Sequence, residues 1–146
     1  MSESTRPLAS SIDHLVLTVS DIETSLRFYE RALKLEREVF TAPDGQIRYA
    51  LRFGRQKINL QDAATATPTK AAQPTRGSGD FCLIAAVPLA DVARHLAAEG
   101  IGLEAGPVPR RGAVGALSSL YFRDPDGNLV EVAEYAAPRS EERRVG

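Results

Sequence analysis

The run YFRDPDGNLVEVAEY, Tyr121 to Tyr135, sets one carboxylate, Glu131, between Val130 and Val132. Its alternation reads as a strand that follows a tight Asp-Pro-Asp-Gly-Asn turn. An unpaired buried carboxylate is costly, so a partner is expected, and a divalent cation is one candidate. By the same alternation His14 in IDHLVLTV and Gln61 in KINLQD share the face of Glu131. Imidazole nitrogen, carboxylate oxygen and amide oxygen are ligand types for zinc, nickel, manganese, iron or cobalt. Tyr121 has the same orientation and can donate a hydrogen bond to a substrate oxygen. The bland readings stay open on alternation alone: a strand glutamate is often solvated or paired with arginine, and a strand histidine is often hydrogen-bonded core or surface. His95 reads as solvent-exposed on a helix, and Cys82 as a small buried residue.

Two series of elements position these residues. IDHLVLTV is a strand, Ser20 and Asp21 supply helix-start chemistry, and DIETSLRFYERAL follows at helical spacing. EREVF, IRYALRF and KINLQD read as three further strands. Residues 63–79 are small, polar and Pro/Gly-containing, and read as a linker. The order then repeats: strand DFCLIAAV, helix PLADVARHLAAEG, a strand start running into the Gly/Pro-rich loop LEAGPVPRRGAVG, and a hairpin of LSSLYFRD with NLVEVAEY. The reading is an α+β fold of two βαβββ modules: module 1 over about 11–62, module 2 over about 80–136, with loose ends at 1–10 and 137–146. Leu15, Leu17, Ile58, Leu60, Val130 and Val132 are expected to face the helices. His14, Val16, Asn59, Gln61, Tyr121, Glu131 and Ala133 are expected to face a cavity.

Composition narrows the partners. Apolar content of 43% and charged content of 25% are ordinary for a globular domain. A net charge of −1 offers no field for nucleic acid or an anionic membrane. A single cysteine, no apolar run of the roughly 20 residues that span a bilayer, and no secretory signal at the start point to the cytoplasm.

The segments IDHLVLTVSDIETSLRFYERALKLE, FGRQKINLQD and LYFRDPDGNLVEVAEY together resemble the vicinal oxygen chelate superfamily, which includes glyoxalase I, fosfomycin and bleomycin resistance proteins and extradiol dioxygenases. Within it the chain is similar to small glyoxalase-domain-containing proteins, over roughly residues 11–136. The resemblance implies paired βαβββ modules forming a cupped mixed sheet around a metal, with one ligand from the first strand and one from the last strand of each module. His14 matches the first-module histidine and Glu131 the second-module glutamate. The last strand of module 1 offers Gln61 where His or Glu is usual. The first strand of module 2 offers Asp80, Phe81 or Cys82 where His is usual, and an ungapped count from Val87 sets Cys82 opposite His14. A one-residue slip in register would exchange Asp80 and Cys82.

The implied protein is a divalent-metal-dependent lyase, isomerase or transferase acting on a small substrate with adjacent oxygens. His14, Gln61 and Glu131 would be the ligands, Glu131 and Tyr121 the catalytic groups, and Asn59, Cys82, Arg110, Arg111 and Tyr121 would line the substrate. Arg110 and Arg111 are placed in a loop over the cavity mouth, paired with an anionic substrate. The absence of a second cavity-facing His argues against ring cleavage. The alternative is a non-catalytic drug- or metabolite-binding protein with a degenerate metal site, although an aromatic content of 6% supplies little stacking surface. A third possibility is a scaffold with neither metal nor cleft. A homodimer is expected, because the edges of four-stranded sheets need covering.

Overall fold

The computed structural model describes residues 5–65, 67 and 69–136. Module 1 runs β1 (His14–Thr18), α1 (Ile22–Leu33), β2 (Glu36–Thr41), β3 (Ile47–Phe53), β4 (Gln56–Gln61). Module 2 repeats the order with β5 (Asp80–Ile84), α2 (Leu89–Ala98), β6 (Ala105–Gly112), β7 (Gly115–Arg123), β8 (Leu129–Tyr135). Each module is one mixed sheet, ordered β1-β4-β3-β2 and β5-β8-β7-β6. In each, the first and last strands are parallel and the others antiparallel. The expected tail at 137–146 and the first four residues lie outside the described residues.

The helices form where local chemistry satisfies their ends. The Asp21 carboxylate accepts the Thr24 backbone N–H at 2.9 Å and its hydroxyl at 2.7 Å, starting α1. Lys34 at φ 56° ends it in the left-handed conformation. At the start of α2, Pro88 has no capping side chain, and the Leu89 N–H instead donates 3.0 Å to the Glu134 carboxylate of β8. All six residues expected to face the helices do so: Leu17, Ile58, Leu60, Val130 and Val132 are buried in one core with Leu15 packed against it.

That core is shared. Phe28 of α1 packs on Phe122 of β7 with ring centroids 6.1 Å apart. The Arg31 guanidinium donates to the Glu99 carbonyl at 2.9 Å, and His95 Nε2 donates to the Arg31 carbonyl at 2.7 Å. His95 thus joins the modules rather than projecting into solvent. The Tyr29 hydroxyl donates 2.7 Å to the Asp124 carboxylate, which is 5% exposed. Asp124 also accepts the backbone N–H groups of Asp126 and Asn128, both at 2.9 Å, and the Asn128 amide at 2.8 Å. Asn128 in turn accepts the Gly79 N–H at 2.7 Å. The Asp-Pro-Asp-Gly-Asn turn is therefore the joint between the helix of module 1, the end of the linker and the last strand of module 2. Burial and the Asp124 charge push the Tyr29 hydroxyl well above its ordinary pKa, so it stays a donor.

Two elements differ from the sequence reading. The strand expected over DFCLIAAV stops at Ile84. The Gly/Pro-rich segment expected as a loop is β6, which pairs along β7 from Ala105 to Gly112. It is an edge strand, and there Pro107 and Pro109 can lack an N–H without breaking a ladder on their open side. A bulge lies between Ala105 and Val108, where Gly106 adopts φ +113°. A Cβ on Gly106 would sit 2.5 Å from the Ser119 carbonyl oxygen, so only glycine fits.

Tyr29→Phe removes one partner of a buried carboxylate and is expected to destabilise by about 1–3 kcal/mol. Asp124→Ala, which orphans several donors at once, should cost more. Urea denaturation of the two variants measures both, and equal small losses would remove Asp124 from its role as the joint.

Candidate functional site

The faces opposite the core carry the candidate residues. On module 2, Cys82 of β5 and Tyr121 of β7 flank Glu131 on either side. Ser119, one pair further along β7, donates 2.6 Å to a Glu131 carboxylate oxygen. Among the described residues no arginine, lysine or histidine lies within ion-pair distance of Glu131. Cys82 is exposed rather than buried. Its thiol donates to the Leu83 carbonyl at 3.9 Å and is pushed up to about 11, first by desolvation and then by the charge of the neighbouring Glu131 carboxylate. At neutral pH Cys82 is a neutral thiol and no nucleophile.

Arg110 shares this face. Its Nε donates 2.9 Å to the Tyr121 hydroxyl, and its guanidinium lies 5.3 Å from the centre of the Tyr121 ring. Because β6 is a strand, Arg110 is held on a ladder rather than in a mobile cover. Arg111 pairs with Ala116 and takes the opposite orientation. Of the two arginines, one is thus at the site.

On module 1 the ladder sets His14 beside Lys57, Val16 beside Asn59 and Thr18 beside Gln61. His14 is exposed, and its Nδ1 lies 2.9 Å from the Asp13 carboxylate, which leaves Nε2 open. Gln61 is 9% exposed and donates 2.9 Å to the Thr18 hydroxyl. His14 and Gln61 are four residues apart along paired strands, about 13 Å, so one ion held by both would strain the sheet. The residue equivalent to Glu131 is Asn59: both lie between two buried core residues, Ile58 and Leu60 or Val130 and Val132. Gln61 corresponds to Ala133. The same comparison matches Cys82, beside Glu131, with Val16, beside Asn59, and therefore matches Asp80 with His14.

The Asn59 amide oxygen is buried with no hydrogen-bond partner among the described residues. It lines a cleft of about 200 Å³ with Val16, Phe40, Arg48, Gln61 and Thr65. A second cleft of about 350 Å³ lies where the linker crosses Thr18, Gln61, Asp80 and Asn128. His14 and Glu131 line neither. Val16 is 48% and Ile84 56% exposed, so among the described residues the two left-over faces stay open in the single chain. Among the described residues no three of His, Cys, Asp and Glu gather as a metal cage. The donors therefore fit a metal as two partial sets: Glu131 without a counter-ion on one face, His14 with an oriented ring on the other. Of the two residues that hold those groups, Asp13 and Ser119, the sequence reading does not single out Ser119. The two-residue spacing of Ser119 and Tyr121 across the hairpin from Glu131 was the signal for it.

The duplicated βαβββ order and this placement of residues define a known class. The family model of the Glyoxalase/Bleomycin resistance protein/Dioxygenase superfamily matches residues 11–132, and the chain belongs to that family. It is 47% identical over 133 residues to virulence protein STM3117 of Salmonella typhimurium, covering 91% of this chain and 90% of that one. The crystal structure of STM3117 superposes with a TM-score of 0.83 over 89% of this chain and 100% of that chain. Glyoxalase domain-containing protein RDO1 of Mycosarcoma maydis is 44% identical over 125 residues, covering 86% of this chain and 68% of RDO1. Lactoylglutathione lyase from Agrobacterium tumefaciens shares 29% identity at a TM-score of 0.64, covering 88% and 96%. Among the described residues no helix is long and apolar enough to cross a membrane.

The Cys82–Glu131 contact gives a direct test. A thiol near pKa 11 is only on the order of a thousandth ionised at pH 8, so alkylation of Cys82 by iodoacetamide is expected to be slow. Glu131→Gln removes the negative charge, lowers the thiol pKa and should raise the rate at that pH, with chelator present in both samples. An unchanged rate–pH profile would show that the carboxylate does not act on the thiol.

Proposed function

We propose that this chain is a metal-dependent enzyme of glyoxalase type, a lyase, isomerase or transferase acting in the cytoplasm on a small molecule with two adjacent oxygens. The observation that carries the reading is Glu131: a half-buried strand carboxylate that accepts a hydroxyl hydrogen bond and has no cationic partner among the described residues. A carboxylate so placed suits a divalent cation. His14 would supply the second ligand through Nε2, its ring oriented from Nδ1 by Asp13. The open faces support a homodimer in which the His14 face of one copy meets the Glu131 face of its partner, with Asn59 offering its amide oxygen to the metal or the substrate.

Zinc, nickel, manganese, iron or cobalt bound there would supply Lewis-acid stabilisation of negative charge on a substrate oxygen. The chain's own groups do the rest. Ser119 holds the Glu131 carboxylate in one orientation. Glu131 can take a proton from a substrate carbon or oxygen and return it, because one of its oxygens is not engaged by Ser119. Tyr121, beside Glu131 in the ladder, presents a hydroxyl to a substrate oxygen. The second reading, a binding protein without chemistry, is favoured by the unpartnered Asn59 oxygen in its cleft, which asks for a ligand donor whether or not a metal is held.

Metal analysis by plasma mass spectrometry decides between them. The native protein is expected to hold about one divalent ion per chain after loading, and the His14→Ala/Glu131→Ala variant none. Equal ion content in both would remove these residues from the metal. No ion in the native protein after soaking with nickel, manganese, zinc and iron would leave the binding reading. Sedimentation at micromolar concentration should show a dimer, and a monomer that still holds its ion would overturn assembly of the site between two copies.

A further inference from the structure

Arg110 is the arginine on the Glu131 face with no carboxylate to answer it among the described residues. Arg27, Arg37, Arg48, Arg52, Arg94 and Arg123 each pair with an Asp or Glu. Arg110 instead is fixed by neutral groups: its Nε donates to the Tyr121 hydroxyl at 2.9 Å, its Nη1 to its own neighbour's carbonyl, Pro109 O, at 2.8 Å, and its plane lies over the Tyr121 ring. Nη2 has no partner among the described residues. These contacts leave the full positive charge and part of the donor fork unspent while removing the side-chain freedom that an exposed arginine normally retains.

The position is set by the backbone. Ala105 pairs with Tyr121, but after the bulge Val108 pairs with Ser119 and Arg110 with Leu117. Had the same residues continued the Ala105–Tyr121 register with no bulge, Pro109 would lie opposite Leu117, and Arg111, not Arg110, would share the orientation of Tyr121. The ladder thus selects one of two adjacent arginines for the face that carries Glu131, Ser119 and Cys82.

We propose that the substrate is a small carboxylic acid bearing an oxygen on the adjacent carbon, a 2-hydroxy or 2-oxo acid, and that Arg110 binds its carboxylate. The Tyr121 hydroxyl and the free Nη2 point the anchor at the carboxylate, and the neighbouring oxygen then reaches toward Glu131, about one inter-strand spacing, ~5 Å, from Tyr121. A neutral diol or amide of the same shape gains nothing from Arg110. The proposal rests on the reading that Glu131 marks the site, but it needs no metal, so the two can fail separately.

Calorimetric titration with lactate and mandelate, beside lactamide and mandelamide, tests it in parallel samples with chelator and with nickel. The acids are expected to bind roughly tenfold or more tightly than their amides, as suits a charged hydrogen bond. Arg110→Gln should abolish that preference and leave amide binding unchanged. Arg110→Lys should keep part of it, because the charge stays but the fork on Tyr121 is lost. Arg111→Gln, one residue away with the same charge, should behave as native, and melting temperatures should be unaltered since both arginines are exposed. Equal binding of acid and amide, no acid binding at tens of millimolar, or equal losses in Arg110→Gln and Arg111→Gln would each overturn the anchor. Acid binding that depends on Arg110 but not on nickel would support the anchor and leave the metal to the ion analysis above. The reverse dependence would keep the metal and sink the anchor.

Discussion

The rest of the structure depends on one buried carboxylate. Asp124 stands in a tight turn, 5% exposed, and collects donors from three places: the Tyr29 hydroxyl of the first helix, two backbone N–H groups of its own turn, and the Asn128 amide that also receives Gly79. A buried carboxylate survives only when its lone pairs are answered, and here each answer comes from an element that must be in place for another reason. The helix cannot shift on the sheet without leaving Tyr29 and Asp124 apart. The linker cannot lift from the turn without releasing Asn128. Nearby, Ser20 at the end of the first strand donates its N–H 3.0 Å to Asp126 and its hydroxyl to the same oxygen, so the turn also touches the strand that leads into the first helix.

With the modules fixed through their helices, chemistry falls to the opposite faces by parity. A strand that buries Val130 and Val132 must show Glu131 on its other side, and neighbours in the ladder then bring Cys82, Ser119 and Tyr121 beside it without any loop having to be ordered. Sites built on paired strands are precise because the ladder fixes their spacing. The corresponding position in module 1 carries an amide rather than a carboxylate, so the two halves of this duplicated fold are chemically unequal: one face is anionic at its centre, the other neutral with a histidine towards its edge.

Much of this was legible in the letters. Helix starts, the order of strands, the core-facing residues and the family follow from alternation, capping residues and the Asp-Pro-Asp-Gly-Asn turn. Three points were not. Gln61 enters the expected ligand set because it shares the face of Glu131 and ends the strand where the family usually offers His or Glu, whereas the frame of buried neighbours, Ile-Asn-Leu against Val-Glu-Val, makes Asn59 the positional equivalent of Glu131. Glycine and proline density made residues 105–112 look like a loop, since nothing local distinguishes an edge strand that tolerates proline from a segment with no partner. Cys82 was read as core from its residue type, although its place in the alternation of Phe81 and Leu83 already put it on the other face. In each case the deciding information was a neighbour across the ladder, which a single sequence does not name.

The bulge at Gly106 has an evolutionary side. A one-residue insertion or deletion in a loop is usually silent, but in the regularly paired part of this edge strand it would act as a frame change, exchanging the side chains on one side of it between the two faces of the sheet, whereas loss of the residue that the bulge absorbs would leave a regular ladder with Arg110 still opposite Leu117. The adjacent pair Arg110 and Arg111 buffers such an event, because whichever frame is used delivers an arginine to the face that bears Glu131. The strand can therefore lose its bulged residue with Arg110 kept in place, and a frame change elsewhere in it still leaves a positive charge at the site, moved by one position along it. Relatives that differ in length at this point are the natural place to look for altered reach toward the substrate on an otherwise unchanged sheet.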